Sequence, residues 1–292
     1  MQTDDRPTGA GSATSRPRRR LRPGIRLAAR YALLIVVAVI VLFPVYAALM
    51  VAQKPFSDLG DLGVLVPDRI DVSSVPTAVS DAGMGRYLVN SFIVATAIMV
   101  GQVVTSVLAG YALAAVDFVG RRAVVGFLAV SFLVPVEVAV VVNFETVQRL
   151  GGIDTYWALI VPFLAFPLGT FLMRQAFRGI PRDLRDAATV DGYGHFAFLR
   201  SVGLPLVRAS VAALSLFSFL LAWNQYLWPL MVTNRDDRRT VQIGLEQLAG
   251  TVGPDLNVIM AATLIATVPI IVLLVLFERQ IVEGLTAGSV KG

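Results

Sequence analysis

Residues 87–116 read YLVNSFIVATAIMVGQVVTSVLAGYALAAV, thirty residues without an aspartate, glutamate, lysine or arginine. The apolar residues run continuously instead of alternating with polar ones, which fits a helix and excludes a strand of a membrane β-barrel. A helix needs about 20 apolar residues to cross the hydrocarbon layer of a bilayer. This segment is therefore long enough to span a membrane.

Further stretches without charged residues lie on both sides of it, at 31–53, 123–136, 155–173, 209–234 and 256–277. The stretch at 123–136 is short because Glu137 interrupts it, and it continues apolar through Val142. We therefore predict an all-α membrane protein with about six transmembrane helices. They are placed at 31–51, 87–115, 123–143, 155–174, 209–233 and 257–278.

The composition agrees with a membrane location and excludes several kinds of site. Hydrophobic residues make up 56% of the 292 residues and charged residues 15%, whereas a soluble domain has about 25% charged residues. Cysteine is absent, which excludes a disulfide scaffold, a thiolate metal site and a cysteine nucleophile. His195 is the only histidine, so we expect no metal site and no histidine relay.

The first 30 residues carry a strongly basic segment. They hold eight arginines against Asp4 and Asp5, a net charge of +6, and are rich in Gly, Pro, Ser and Thr. We predict a disordered basic cytoplasmic tail over residues 1–30. Such an arm can bind nucleic acid, but beside an apolar run it more often contacts anionic lipid, and we expect no nucleic-acid partner. The apolar run that follows is too long for a signal peptide.

The charges of the loops predict the orientation. The loop 117–122 contains Arg121 and Arg122, and the loop 174–208 contains six arginines, whereas the loop 54–86 has a net charge of −2. Arginine-rich loops stay in the cytoplasm, so we place both termini there. The loop 235–255, with three arginines, argues weakly against this orientation.

An ordered pattern lies within the largest inner loop. Leu184, Ala187, Ala188 and Asp191 follow i, i+3, i+4, i+7 spacing, which places them on one face of a helix. Because this face consists mostly of small residues, another surface can approach it closely. Gly192 follows at the position where a helix ends in a left-handed turn. From these residues alone, an ordinary loop of two surface helices remains an equal alternative.

The same loop has a fixed spacing. It reads Asp186-Ala187-Ala188, three residues, Gly192, nine residues, then Val202-Gly203-Leu204-Pro205. This spacing resembles the EAA loop of ABC-importer permeases, with Asp186 in place of Glu and Val202 in place of Ile. Other segments are similar to the carbohydrate subfamily of maltose-type and glycerol-phosphate-type permeases: Leu88–Ser91, Ala109–Ala114, Trp223–Leu230 and Gly284–Gly288.

The resemblance implies a permease subunit of an ATP-binding-cassette importer in a bacterial-type cytoplasmic (inner) membrane. Residues 31–292 would form the permease domain and half of the translocation path for a sugar, a related polyol or a glycerol phosphate. The implied partners are a second homologous permease, two ATPase (nucleotide-binding) subunits and an extracytoplasmic substrate-binding protein. ATP and Mg²⁺ would be bound by the ATPases, because this chain lacks the Gly-x-x-x-x-Gly-Lys-Ser/Thr sequence that cradles phosphates.

By the same resemblance, the loop 180–205 lies between helices 4 and 5 and is a coupling-helix loop that contacts an ATPase subunit. The residues to which the resemblance assigns ATPase coupling are Asp186, Ala187, Ala188, Asp191, Gly192, Leu204 and Pro205.

Polar residues inside the predicted spans are candidates for lining the substrate path. They are Glu137, Asn143, Trp223, Asn224, Gln225 and Tyr226. A carboxylate within a span is a functional hypothesis by default, although Glu137 could instead lie near the outer end of its helix. Amides beside aromatic rings suit a sugar. An aromatic belt, with amides bonding neighbouring helices, is the alternative. Ser106 and Gly110 are predicted to pack helices together.

Two other classes of protein are weaker interpretations. An ion-driven secondary transporter of a small polar solute would need acidic or basic groups along its path, and Glu137 is the single clear case. A membrane-embedded enzyme would need clustered catalytic groups, and neither His-Glu-x-x-His nor Gly-x-Ser-x-Gly occurs. The sequence therefore favours a transport component that performs no bond chemistry, and it does not name the substrate.

Overall fold

The computed structural model describes residues 23–54, 65–66, 70–131, 136–251 and 256–287. The chain divides into two compact units, residues 1–46 and 47–292. Within the described ranges every regular element is a helix, which confirms the predicted all-α class. Residues 1–22 of the predicted tail lie outside these ranges, and residues 23–30 belong to the first helix.

Fourteen α-helices follow one another along the described residues. They are α1 (Pro23–Ala52), α2 (Ser74–Pro76), α3 (Met84–Ala115), α4 (Arg121–Ser131), α5 (Val136–Arg149), α6 (Tyr156–Ile160), α7 (Pro167–Arg178), α8 (Arg182–Val190), α9 (His195–Phe198), α10 (Leu204–Leu206), α11 (Arg208–Trp223), α12 (Leu227–Val232), α13 (Val241–Thr251) and α14 (Leu256–Ala287). Short π-helical turns cover Thr77–Asp81 and Leu199–Gly203, and 3-10 turns cover Val161–Phe163 and Asp236–Arg238.

Among the described residues, three helices are long and apolar enough to cross a membrane. They lie at Leu27–Ala52, Met84–Ala115 and Leu256–Glu278, and each contains one of the predicted spans. Two bent pairs also qualify if each is one span: Tyr156–Phe163 with α7, bent by 47°, and His195–Leu206 with α11, bent by 80°. The count of six therefore stays a prediction.

The remaining predicted spans are interrupted. The span at 155–174 breaks before Pro167, which begins α7 after the extended residue Phe166. Proline suits this position, because the first turn of a helix has no partner for its N–H. The span at 209–233 breaks between Trp223 and Leu227. The span at 123–143 is represented by α4 and α5, and residues 132–135 between them lie outside the description.

Helix α3 is the centre of the second unit, where it packs against α7 and α11, while α11 also packs against α14. One apolar cluster surrounds the second half of α3 and is named the inner cluster here. Its buried members are Val107, Tyr111, Ala114, Met173, Phe177, Ile180, Ala188, Phe198, Leu199, Val207 and Leu214. A second, larger cluster joins the first half of α3 to α6, α11, α12, α13 and α14.

Helices α3 and α7 approach closely because glycines lie at their contact. A β-carbon on Gly110 would lie 2.7 Å from Met173 Cβ and 2.8 Å from the Arg174 backbone nitrogen. A β-carbon on Gly169 would lie 2.6 Å from Ser106 Oγ. The prediction that Ser106 and Gly110 serve helix packing is therefore confirmed.

Candidate functional site

Helix α8 ends in a Schellman motif at the predicted glycine. Gly192 has a φ of 82°, in the left-handed region. The Tyr193 N–H donates to the Ala188 carbonyl at 2.9 Å, and the Gly192 N–H donates to the Thr189 carbonyl at 3.1 Å. These two bonds define the motif and pair carbonyls that the end of a helix leaves unsatisfied. The predicted left-handed helix end is confirmed.

One side of the loop is anchored to the body of the protein. Ala188 is buried in the inner cluster, as is Phe198 of α9. The Tyr111 ring of α3 lies 5.4 Å from the Phe177 ring and 6.3 Å from the Phe198 ring, centre to centre. The Tyr111 hydroxyl lies 3.3 Å from His195 Nδ1, within hydrogen-bonding distance. The loop is thus packed onto the ends of α3 and α7, so a force on α8 would reach both helices.

The other side of the loop is open. Leu184 is 44% exposed, Val190 88% and Phe196 72%. Ala187, Asp186 and Asp191 are exposed as well. We name this surface the loop face; its members are Leu184, Ala187, Val190, Asp191 and Phe196. It offers apolar contact area beside a carboxylate.

The expected single face of α8 is split in the structure. Leu184, Ala187, Ala188 and Asp191 were expected to lie together, but Ala188 points into the inner cluster while the others are exposed. The reason is that the i, i+3, i+4, i+7 pattern describes a broad stripe, and the core covers only one edge of it.

The end of the loop is set by a sharp bend. Leu204 is half-buried against the inner cluster, and Pro205 is exposed at the start of α10. The segment His195–Leu206 meets α11 at an angle of 80°. Leu204 and Pro205 therefore lie where the loop turns into the next long helix.

Asp186 lies beside arginines of its own chain. It lines a cavity of about 660 Å³ together with Arg121, Arg178, Arg182 and Arg185. Within the described residues, its carboxylate forms no ion pair. Arg178, Arg182 and Arg185 belong to the same arginine-rich loop, whereas Arg121 comes from a distant part of the chain, and the spacing of the loop does not predict its presence here.

The amide candidates lie at the break between α11 and α12. Asn224 is exposed, its Nδ2 donates to the Leu220 carbonyl at 2.8 Å, and its Oδ1 lies 3.5 Å from Gln242 Nε2. Gln225 Oε1 is buried without a hydrogen-bond partner among the described residues. Tyr226 is 38% exposed. A helix break with polar side chains is the form that membrane proteins use where backbone lines a cavity.

Trp223 differs from its neighbours. It is only 2% exposed, and its ring stacks on Phe219 with centres 5.6 Å apart. Trp228 is also buried and donates from Nε1 to the Ala158 carbonyl at 2.9 Å. Both tryptophans therefore pack in the core, and the surface at the break belongs to Asn224 and Tyr226.

The remaining path candidates come from α5. Asn143 is half-buried there, and within the described residues no hydrogen bond joins it to Asn224 or Gln225. Glu137 belongs to the first turn of α5, and its side chain lies outside the described part of the structure. Helix α5 packs against α12, the helix that follows the break, but Asn143 is not joined to the two amides by a hydrogen bond among the described residues.

Two polar residues in the neighbourhood were missed from the sequence. Gln242 of α13 lies 3.5 Å from both Asn224 Oδ1 and the Trp223 carbonyl. The buried Asn90 of α3 donates to the carbonyls of Asp237 and Arg239 at 3.0 and 2.8 Å and accepts from the Tyr156 hydroxyl at 2.8 Å. Asn90 lies in an apolar run and Gln242 in a mixed loop, so no sequence pattern predicts that Gln242 contacts the break or that Asn90 contacts residues 237–239.

Known proteins are similar to this chain over most of its length. A family model described as "Binding-protein-dependent transport system inner membrane component" matches residues 102–282. The sn-glycerol-3-phosphate transport system permease protein UgpE of Agrobacterium fabrum is 33% identical over 274 residues, which are 90% of this chain and 97% of the relative. The arabinooligosaccharides transport system permease protein AraQ of Halalkalibacterium halodurans is 31% identical over 260 residues, 88% of this chain and 93% of the relative.

A solved structure has the same fold. It is a bacterial ABC transporter involved in the import of the acidic polysaccharide alginate, with a TM-score of 0.75 and 20% identity. The match covers 89% of this chain and 98% of that chain. Within the described residues, no group of three or more His, Cys, Asp or Glu side chains is arranged to hold a metal ion.

Proposed function

Because the chain belongs to the family of binding-protein-dependent transport system inner membrane components, we infer that it is a permease of an ABC importer for a sugar or a glycerol phosphate. This family is a transport component of the inner membrane and not an enzyme. The two substrate classes are those named for the relatives UgpE and AraQ. We propose that this chain forms half of the path and a second homologous permease the other half.

The observation that carries the coupling proposal is the two-sided loop. Its inner side, with Ala188 and Phe198, is buried against α3 and α7, while its loop face is exposed. Such a loop can accept a partner on one side and move the membrane helices with the other. We propose that the loop face seats on an ATPase subunit, and that Leu184, Val190 and Phe196 supply the apolar contact.

The complete transporter would then contain this chain, the second permease, two ATPase subunits and an extracytoplasmic substrate-binding protein. In this proposal ATP and Mg²⁺ are bound by the ATPase subunits and this chain binds no cofactor. The chain then has two conformations, outward-open and inward-open, and the equilibrium between them shifts according to what its partners bind.

Transport by the reconstituted complex tests this function. Proteoliposomes with the complete importer should take up a sugar or glycerol phosphate only with ATP on the ATPase side and with the binding protein present. Uptake that proceeds without ATP and follows an ion gradient would favour the ion-driven secondary transporter instead. Testing the sugars and glycerol phosphates one by one then identifies the substrate.

The amides of the break are proposed to contact the substrate, because Asn224 is exposed and Gln225 Oε1 has no partner among the described residues. Replacing both with alanine should lower uptake roughly tenfold, the effect of losing about two hydrogen bonds. The assembled complex and its basal ATP hydrolysis should remain. Loss of assembly would instead support a role in helix packing. Thr233→Ala, at a buried hydroxyl that bonds the Pro229 carbonyl, serves as a comparison variant in the same segment.

The orientation is proposed from the arginine-rich loops: both termini in the cytoplasm and the loop 54–86 outside. Since the natural chain has no cysteine, single cysteines report accessibility directly. A membrane-impermeant maleimide added to intact cells should label Ser73→Cys, at an exposed position of the outer loop, and leave Thr3→Cys unlabelled. Labelling of Thr3→Cys from outside contradicts the orientation.

A further inference from the structure

Two helices, α4 and α7, bring four arginines to one cavity. Arg121 and Arg122 begin α4, while Arg174 and Arg178 belong to the last turns of α7. All four line a cavity of about 630 Å³ that also contains Asp117. Four guanidinium groups thus face Asp117, and Asp186 lines an adjoining cavity with Arg121 and Arg178.

Most of this positive charge is uncompensated. Asp117 pairs with Arg121 at 2.6 Å. Within the described residues, Arg122 and Arg178 have no carboxylate partner, and the guanidinium of Arg174 contacts only the ring of Phe171, 6.0 Å from its centre. Arg174 Nε is buried without a hydrogen-bond partner among these residues. A buried donor without a partner is unfavourable, so the cavity is suited to an anion that accepts several hydrogen bonds.

The position of the cavity indicates where that anion comes from. Arg174 and Arg178 lie in the last turns of α7, which together with Tyr156–Phe163 is apolar enough to cross a membrane, and Arg121 and Arg122 lie beside them. Arginines concentrate where such segments meet the membrane surface. Beyond them on α4, Val124, Phe127 and Val130 are 42%, 73% and 59% exposed. These three residues are spaced by three, so they form one apolar stripe that continues away from the cavity. A basic cavity next to an apolar stripe matches a molecule with an anionic head and an apolar chain.

We propose that this cavity binds the phosphate of an anionic phospholipid, with an acyl chain along the apolar stripe of α4. Arginines pair with phosphate oxygens through two parallel N–H bonds, which lysine cannot reproduce. Basic pockets between helices at the membrane surface are a known way to hold acidic headgroups. The site goes beyond the transport function and rests only on the membrane location of the chain, so its test does not depend on uptake.

Native mass spectrometry of the purified full-length chain measures the binding. Phosphatidylglycerol should remain bound in preference to phosphatidylcholine. The double variant Arg122→Gln with Arg178→Gln should bind phosphatidylglycerol at least 20-fold more weakly, because each arginine near an anionic headgroup contributes about fivefold. Arg208→Gln is the matched control, an exposed arginine at the start of α11 that does not line the cavity. It should bind like the natural chain.

Three results would overturn the proposal: equal binding of the two lipids, equal loss in the double variant and the control, or displacement of the lipid by an equal concentration of soluble glycerol phosphate. The last result would assign the cavity to a soluble phosphate. If the glutamine variant aggregates, the variant Arg122→Lys with Arg178→Lys decides. Because lysine lacks the paired N–H bonds, weaker binding of phosphatidylglycerol in a chain that still elutes as a single species supports the headgroup site, and binding equal to that of the natural chain overturns it.

Discussion

Replacing Gly192 with valine should separate ATP hydrolysis from transport. The residue has a φ of 82°, and a β-branched side chain in the left-handed region is destabilised by about 1–2 kcal/mol. A β-carbon at Gly192 would meet no atom within 4 Å, so the effect comes from the backbone and not from a clash. The Schellman bonds to Ala188 and Thr189 would weaken, and the angle between α8 and α9 would change.

The proposed consequence concerns the loop face. With Ala188 still held in the inner cluster, Leu184 and Val190 would no longer present the same surface to the ATPase. Basal ATP hydrolysis should continue, while its stimulation by substrate and the uptake should each fall about tenfold, as 1.4 kcal/mol of lost contact would cause. The chain should still insert in the membrane, because Gly192 lies outside the apolar helices.

The matched control is Gly192→Asn. Asparagine adopts the left-handed region far more readily than valine and is similar in size, so it should retain most of the coupling. The valine and asparagine variants are compared by ATP hydrolysis of the co-purified ATPase, measured with and without substrate-loaded binding protein. If valine and asparagine give the same stimulation as glycine, the loop does not transmit the signal, and the ABC-type coupling of this chain loses its main support.

Replacing Gly110 with alanine should destabilise the contact between α3 and α7. The added β-carbon would lie 2.7 Å from Met173 Cβ, 2.8 Å from the Arg174 nitrogen and 3.0 Å from the Met173 carbonyl carbon. Two of these atoms are backbone, so helix α7 itself must move to relieve the overlap. Overpacking of this kind destabilises by about 1–3 kcal/mol. We expect a lower temperature of unfolding and less assembled complex, and a larger effect for Gly110→Leu.

Gly126→Ala is the control for this prediction. Gly126 is also within a helix, but a β-carbon there meets no atom within 4 Å. Since alanine is the better helix former, the control should be neutral or slightly stabilising. The unfolding temperatures of Gly110→Ala and Gly126→Ala are measured in the same detergent and compared. Equal unfolding temperatures for Gly110→Ala and Gly126→Ala would show that α3 and α7 do not meet as described.

Local properties of the sequence were enough to predict several elements. The charge-free run at 87–116 predicts a long apolar helix because helix formation in a bilayer depends on the length of the run itself, and α3 covers Met84–Ala115. Gly192 was predicted as a left-handed helix end because only a residue without a β-carbon takes that conformation easily. The family resemblance, also carried by short spacings, is confirmed by a family model over residues 102–282.

Contacts between distant segments were decided only by the tertiary structure. Neighbours in the sequence have opposite environments: Trp223 is 2% exposed and Tyr226 38%, because α11 ends between them and the chain turns away from the core. Periodicity placed Ala188 with Leu184, but the packing of α3 and α7 decided that Ala188 is buried and Leu184 open. Arg122 and Arg178 are 56 positions apart in the chain and line one cavity. A sequence pattern describes the faces of one helix, whereas such a cavity depends on which helices pack together. Side-chain volumes decide that packing: Gly110 has no β-carbon, and this lets α7 approach α3.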